Sequence, residues 1–191
     1  MNKKVIISIF IGIIVIFIII GNIINNNNSI ATKNEILENQ GIIALQEYVD
    51  KDTTYKITAE QYVNSPEAKR VLGYGIVTDR AMELMSDVAN MDTEEWKSDY
   101  KEECNISIDI NKTIENIDER ILDEQAMEVH KLFLDLADKL IDVHNINMYY
   151  FSEGYESDGL LAQLDEYSIA AGECIDNLNK YLDENNIPHE Q

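Results

Sequence analysis

A chain of 191 residues with 36 acidic against 15 basic side chains carries a formal charge of −21. That charge repels phosphate polyanions, so it argues against a nucleic-acid-binding surface and against docking on anionic lipid heads. Two prolines and eight glycines are few enough to permit long helices, and the length allows one domain with a substantial core.

The first twenty-odd residues are set apart by hydropathy. Val5 to Ile24 is apolar apart from Ser8, Gly12, Gly21 and Asn22, and as a helix it rises about 30 Å, the hydrocarbon thickness of a bilayer. Lys3 and Lys4 precede it and no charge follows until Lys33, so the positive-inside bias puts the N-terminus in the cytoplasm and the remainder outside. Residues 1–24 are therefore expected to be a single-pass membrane anchor, residues 25–31 a polar linker, and residues 32–185 an extracytoplasmic domain followed by a polar tail. The alternative is a secreted chain, cleaved near Ala31 after the small-x-small triplet Ser29-Ile30-Ala31. With no cysteine near the end of the stretch, a lipoprotein is excluded.

After Ala31 the spacing predicts helices throughout. Thr32 and Glu35 have capping-box spacing and open a lead-in helix to about Asp50. Thr58 with Gln61 starts a short helical turn ending near Asn64. Ser65-Pro66-Glu67 combines an N-cap, a proline at the first helical position and an acid facing the positive helix end. The stripe Val71, Gly75, Thr78, Met82, Met85 and Ala89 carries that helix to about Asn90. Gly73-Tyr74-Gly75 lacks both a third glycine and a preceding strand, so it reads as close packing or a bend and not as a phosphate loop.

Asp92 and Glu95 restart a helix whose inner positions are Trp96, Tyr100, Ser107, Ile110, Ile114, Ile117 and Ile121. A further helix follows a join near Leu122–Gln125, with Val129, Phe133, Leu136, Leu140, Val143 and Tyr150 inward. Glu153 to Gly159 is the clearest loop. Leu160, Leu164, Tyr167, Ala171, Cys174, Leu178 and Tyr181 then form a heptad seam ending near Asn185. Four long helices behind a shorter one predict an all-α fold, an antiparallel four-helix bundle hung from a transmembrane helix.

Each chemical motif has a structural alternative. Cys104 and Cys174 are an even pair in a domain expected outside the cell, and on the bundle scheme they sit at similar levels of two parallel helices, so they are a candidate disulfide; buried separate thiols are the other reading. His130 and His144 lie about 21 Å apart along one helix and cannot share a metal, and neither has a glutamate three residues before it. Asp135, Asp138 and Asp142 read as a solvated stripe. Asp109 to Thr113 begins like a calcium loop but lacks the glycine and the final acid. Tyr149, Tyr150, Phe151 and Tyr155, beside acids at a helix end, are candidate partner-binding residues or the apolar cap of a bundle.

The arrangement loosely resembles the periplasmic four-helix bundles of bacterial sensor proteins. Those return through a second span, for which this chain has no apolar stretch, so no family follows. The expectation is a membrane-anchored, non-catalytic binding protein that meets a protein or envelope partner outside the cytoplasm, without cofactor or metal. A carrier of a small ligand or cation is the runner-up.

Overall fold

The computed structural model describes residues 30–49, 54–74, 78–87, 89–154 and 157–189, and over them the chain is all-helical. The helices are α1 (30–40), α2 (Ile42–Tyr48), α3 (Ala59–Val63), α4 (Pro66–Tyr74), α5 (Asp79–Ser86), α6 (Glu94–Lys112), α7 (Glu124–Asn147) and α8 (Asp158–Glu184). Among the described residues no helix is long and apolar enough to cross a membrane; the stretch Val5–Ile24 lies outside them.

Among the described residues the long helices are three, α6, α7 and α8, where four were expected in the domain, and α7 lies in the middle. Its pairing with α8 is antiparallel, because Lys139 Nζ stands 5.9 Å from the Tyr167 ring while Phe133, further back along α7, shares a groove with Leu178. Helix α6 flanks α7 elsewhere, also antiparallel, with Tyr100 against Phe151 and Ile114 in the core around the start of α7. The short helices fill the remaining sides, α1 to α4 over the first half of α7 and α5 beside α6.

Local chemistry explains where continuous helices were expected but break. Gly41 ends α1 with φ of 99°, its N–H turned back to the carbonyls of Ile36 and Leu37, a backbone conformation reserved for glycine. The carboxylate of Glu67 then covers the next helix start, accepting from Ile42 N at 3.0 Å and Ile43 N at 3.1 Å. Thr32 stands inside α1 and not at its cap. Helix α4 has the expected Ser65 cap, with Ala68 N donating to Ser65 Oγ, but it ends at Tyr74. A new N-cap at Thr78 starts α5. That restart changes the helical phase, so Ala81 and Leu84 are buried while Met82 and Met85 are 50% and 44% exposed.

Between α6 and α7 two aspartates cap separate helical starts, Asp118 that of a 3₁₀ turn and Asp123 that of α7. Asp118 takes the N–H of Arg120 and Asp123 that of Ala126 at 2.7 Å, and the connection holds two 3₁₀ turns, Thr113–Asn116 and Glu119–Ile121. The extended residues before α3 pin this connection, Ile57 N donating to Ile121 O and Asp123 N to Ile57 O. The Thr58–Gln61 capping box caps α3 as its spacing predicts, whereas α6 is capped by Thr93, one residue past the expected Asp92, and α8 by Ser157, inside the stretch expected to be loop.

Two apolar clusters result. The main one runs from Leu37 through Tyr62, Val71, Ile114, Phe133 and Leu136 to Leu178, Leu182 and Ile187. A smaller one holds Ala81, Leu84, Trp96, Tyr100 and Cys104, with Met91, Met148 and Phe151 against it. Of the inward positions expected of α6 and α7, Trp96, Tyr100, Ser107, Ile114, Ile117, Ile121, Val129, Phe133, Leu136, Leu140 and Val143 are buried, while Ile110 and Tyr150 are only half-buried.

Candidate binding groove

A groove of ≈ 430 Å³ is lined by residues of α3, α4, α7, α8 and the tail that follows α8. Its floor is apolar: Val63 at the end of α3, Leu72 of α4, Phe133 of α7, and Leu178 and Leu182 of α8. The periodicity that buries α7 and α8 against each other supplies Phe133, Leu178 and Leu182, which are nearly fully buried, and Leu72 of α4 is half-buried beside them. Polar groups stand at the rim: Asn64, Lys69, Asn179 and His189. His189 is placed by the tail after α8, where Ile187 enters the main core and the His189 imidazole bonds the Ile187 carbonyl at 2.9 Å. Gly73 also lines the groove, and a Cβ there would meet nothing within 4 Å.

An apolar floor with a few fixed polar groups around it, at a volume in the lower range of ligand sites, suits an apolar group presented on a polar or anionic support. Rim and floor come from four separate stretches of chain. The seams identified Phe133 and Leu178 as core, but nothing in the spacing marked Gly73, Lys69, Asn179 or His189 as neighbours.

The interior titratable groups are engaged in structural bonds. Tyr62 Oη and His130 Nδ1 are 2.8 Å apart, both buried in the main core. Burial raises the Tyr62 pKa, with the Glu67 charge adding to it, and burial lowers that of His130 against a smaller opposite effect of Glu119. The pair is thus held neutral and shares one hydrogen bond. His144 is also buried on α7. Among the described residues no three His, Cys, Asp or Glu side chains are placed to hold a metal ion. Asp135 and Asp138 are exposed, Asp142 is half-buried, and Asp109 to Lys112 is helix.

The two cysteines are free thiols, and the fold does not bring them together. Cys104 belongs to the small cluster with Tyr100, Met148 and Phe151, whereas Cys174 sits against the main core near Asp135. Those neighbours are about a dozen residues apart along α7, on the order of 20 Å, far beyond the Cα separation of roughly 7 Å that a disulfide spans. The expectation of equal levels assumed four equal helices. With α6 and α8 both antiparallel to α7 and the two cysteines set against different stretches of it, it no longer holds. Burial pushes the Cys104 thiol up to about 12, Tyr100 partly offsetting this by hydrogen bonding and the Glu103 charge adding to it.

The aromatic group at the end of α7 is divided. Residues Met148–Ser152 form a π-helical turn. Phe151 turns inward, edge-on to Tyr100 at 5.8 Å, in a stack that continues from Tyr100 to Trp96 at 4.9 Å. Tyr150 packs on Phe151, and Tyr149 stays 47% exposed beside Lys101, which pairs with Glu153. Tyr155 lies outside the described residues. Phe151 and Tyr150 therefore cap the small cluster, and Tyr149 is left facing solvent.

No known protein family, curated protein or solved structure matches this chain.

Proposed function

We propose that this chain is a membrane-tethered, non-catalytic binding protein whose helical domain receives an apolar side chain of a partner polypeptide in the groove between α4 and α8. The observation that carries the reading is the groove itself: an apolar floor of ≈ 430 Å³ rimmed by Asn64, Lys69, Asn179 and His189. Amide and cationic donors on the rim suit the carbonyls or carboxylates that flank an inserted side chain. Further support comes from the titratable interior, since Tyr62, His130 and Glu67 already serve core bonding and capping. The tether rests on Val5–Ile24 and the two lysines before it, and the domain then lies on the side opposite Lys3 and Lys4.

The test is photo-crosslinking in intact cells, with a benzophenone amino acid placed at Asn179 on the rim or at Asp176 one turn away on α8. A discrete adduct from position 179 and none from 176, in a chain that sediments with membranes, is the expected result. An adduct only from a probe at Tyr149 would move the site to the α7 end and overturn the groove. Co-purification of a small molecule in place of an adduct would favour the carrier reading, and recovery in the soluble fraction would remove the tether.

A further inference from the structure

The floor of the groove is almost closed. Val63, Phe133, Leu178 and Leu182 line it, yet none is more than 5% exposed, so an incoming side chain finds little apolar surface to cover until part of the lining gives way. The parts differ in how firmly they are held. Helices α7 and α8 are long and set their inner faces in the main core, while α3 and the start of α4 are fixed by the Thr58–Gln61 capping box, the Ser65 cap and the buried Ala68 and Val71. The remaining lining residue, His189, belongs to the tail.

A turn of specific geometry attaches that tail. Asn185 closes α8 and Asn186 follows with φ of 52°; Asn186 N donates to Asp183 O at 3.1 Å and Ile187 N to Leu182 O at 2.9 Å. These bonds around a left-handed residue make a Schellman turn, in which the next side chain packs back on the helix. Ile187 does so, buried in the main core with Leu182. Beyond it the hold is slight: Asn64 Nδ2 donates to the Pro188 carbonyl at 3.5 Å, and the His189 imidazole, bonded to the Ile187 carbonyl of its own tail, stands 4.0 Å from Asp183 Oδ1. Glycine is the usual left-handed residue of such a turn; asparagine accepts the conformation less readily than glycine and more readily than a branched side chain. The turn thus closes less tightly than it could.

We infer that residues 185–189 are a strap that gates the groove, with Asn186 as its hinge. With the turn formed, His189 closes one side of the groove and Ile187 covers Leu182; release at Asn186 carries both away and opens Leu182 and its neighbours to the partner's apolar side chain. A single residue at the end of a helix is enough to absorb such a change in backbone angle. The inference rests on the groove being the binding site, and it accounts for a floor that is apolar and yet covered.

The experiment changes the turn and leaves the groove lining untouched. Full-length chains carrying Asn186→Gly, Asn186→Val or neither are compared by hydrogen exchange at the Ile187 amide and by the yield of the adduct from a benzophenone amino acid at Asn179. Glycine should slow Ile187 exchange roughly fivefold and valine should speed it roughly tenfold, while circular dichroism stays that of the parent. Adduct yield in cells should follow exchange, higher for Asn186→Val and lower for Asn186→Gly than for the parent. Equal yields from chains whose Ile187 exchange differs overturn the strap and leave the groove standing, as does Ile187 exchange that ignores both substitutions. If circular dichroism shows that Asn186→Val unfolds, the comparison of Asn186→Gly with the parent decides: a lower yield supports the strap and an equal one overturns it. No adduct from any chain overturns the groove reading, and the strap with it.

Discussion

At Gly41 a single backbone angle decides whether two helices can share one apolar face. Its φ of 99° ends α1, and a Cβ there would overlap the Glu67 carboxylate that caps α2. Gly41→Ala should therefore destabilise the domain by about 1–3 kcal/mol from backbone strain alone, with further loss from the displaced cap. Glu67→Gln, which keeps one acceptor for two donors, should cost about 1–2 kcal/mol. Urea unfolding of the two variants checks both values, and a neutral Gly41→Ala would refute the cap geometry. His130 gives a pH dependence of definite sign. Burial lowers its pKa in the fold, so below its unfolded value of about 6.5 the unfolded chain binds the extra proton. The stability it contributes is present above that pH and is lost as pH falls, at up to about 1.4 kcal/mol per unit. The gap in stability between the parent and His130→Asn should narrow by about 1 kcal/mol between pH 7.5 and 5.5; a constant gap would mean that His130 takes up its proton equally in both states. The thiols should differ in reactivity. Maleimide at pH 7.5 should label half-buried Cys174 first and Cys104 only on unfolding, and a Cys104–Cys174 crosslink in the native protein would contradict the placement of α6 and α8.

At the scale of elements, capping chemistry was legible where periodicity misled. Ser65-Pro66, Thr58 with Gln61, and the 3.6-residue seams of α6 and α7 could be read directly, because each is a local signal. The break at Gly41 could not, and the one after Tyr74 falls at Gly73-Tyr74-Gly75, where a bend is one of two readings although the periodicity carries the helix on to about Asn90. The apolar pattern continues through both, and what ends each helix is a capping interaction made elsewhere: Glu67 from 25 residues away in one case, a fresh Thr78 cap in the other. The groove was illegible for a related reason, since its lining is gathered from α3, α4, α7, α8 and the tail, a tertiary arrangement that no segment encodes alone. The aromatic end of α7 was legible as a cluster but not in its division between Phe151 inward and Tyr149 outward, which depends on the π turn. Gly73 offers an element-scale test. It lies in α4 with open space around its missing side chain, so Gly73→Ala should stabilise the helix by about 0.5 kcal/mol, seen as a small rise in Tm. Gly73→Trp should fold as well and close the groove, abolishing the adduct at Asn179.

Over the whole molecule the acidic surplus works against compactness. Exposed ion pairs such as Arg80 with Glu83 and Asp99 neutralise a few acids at distances of 3.2 Å, but pairs of this kind contribute little each, and a charge of −21 remains to repel itself. Screening should relieve it. Tm should rise as sodium chloride increases from about 10 mM to about 0.5 M, where the Debye length drops to a few ångström. A flat or falling Tm would mean that specific ion pairs outweigh the general repulsion.

The main core closes Leu37 near its beginning and Ile187 near its end into one cluster, and this has a consequence for synthesis. At about 5–20 residues per second, the ribosome needs on the order of ten seconds to pass from α4 to the tail. For that time α1 to α4 have no apolar face to settle on, since α7 and α8 are still to be made. The short helices, five to eleven residues each, are below the length that holds a helix in water unaided. Ribosome-bound chains stopped at residue 120 should therefore be open to protease throughout, and resistance should arrive late, only after Ile187 has emerged.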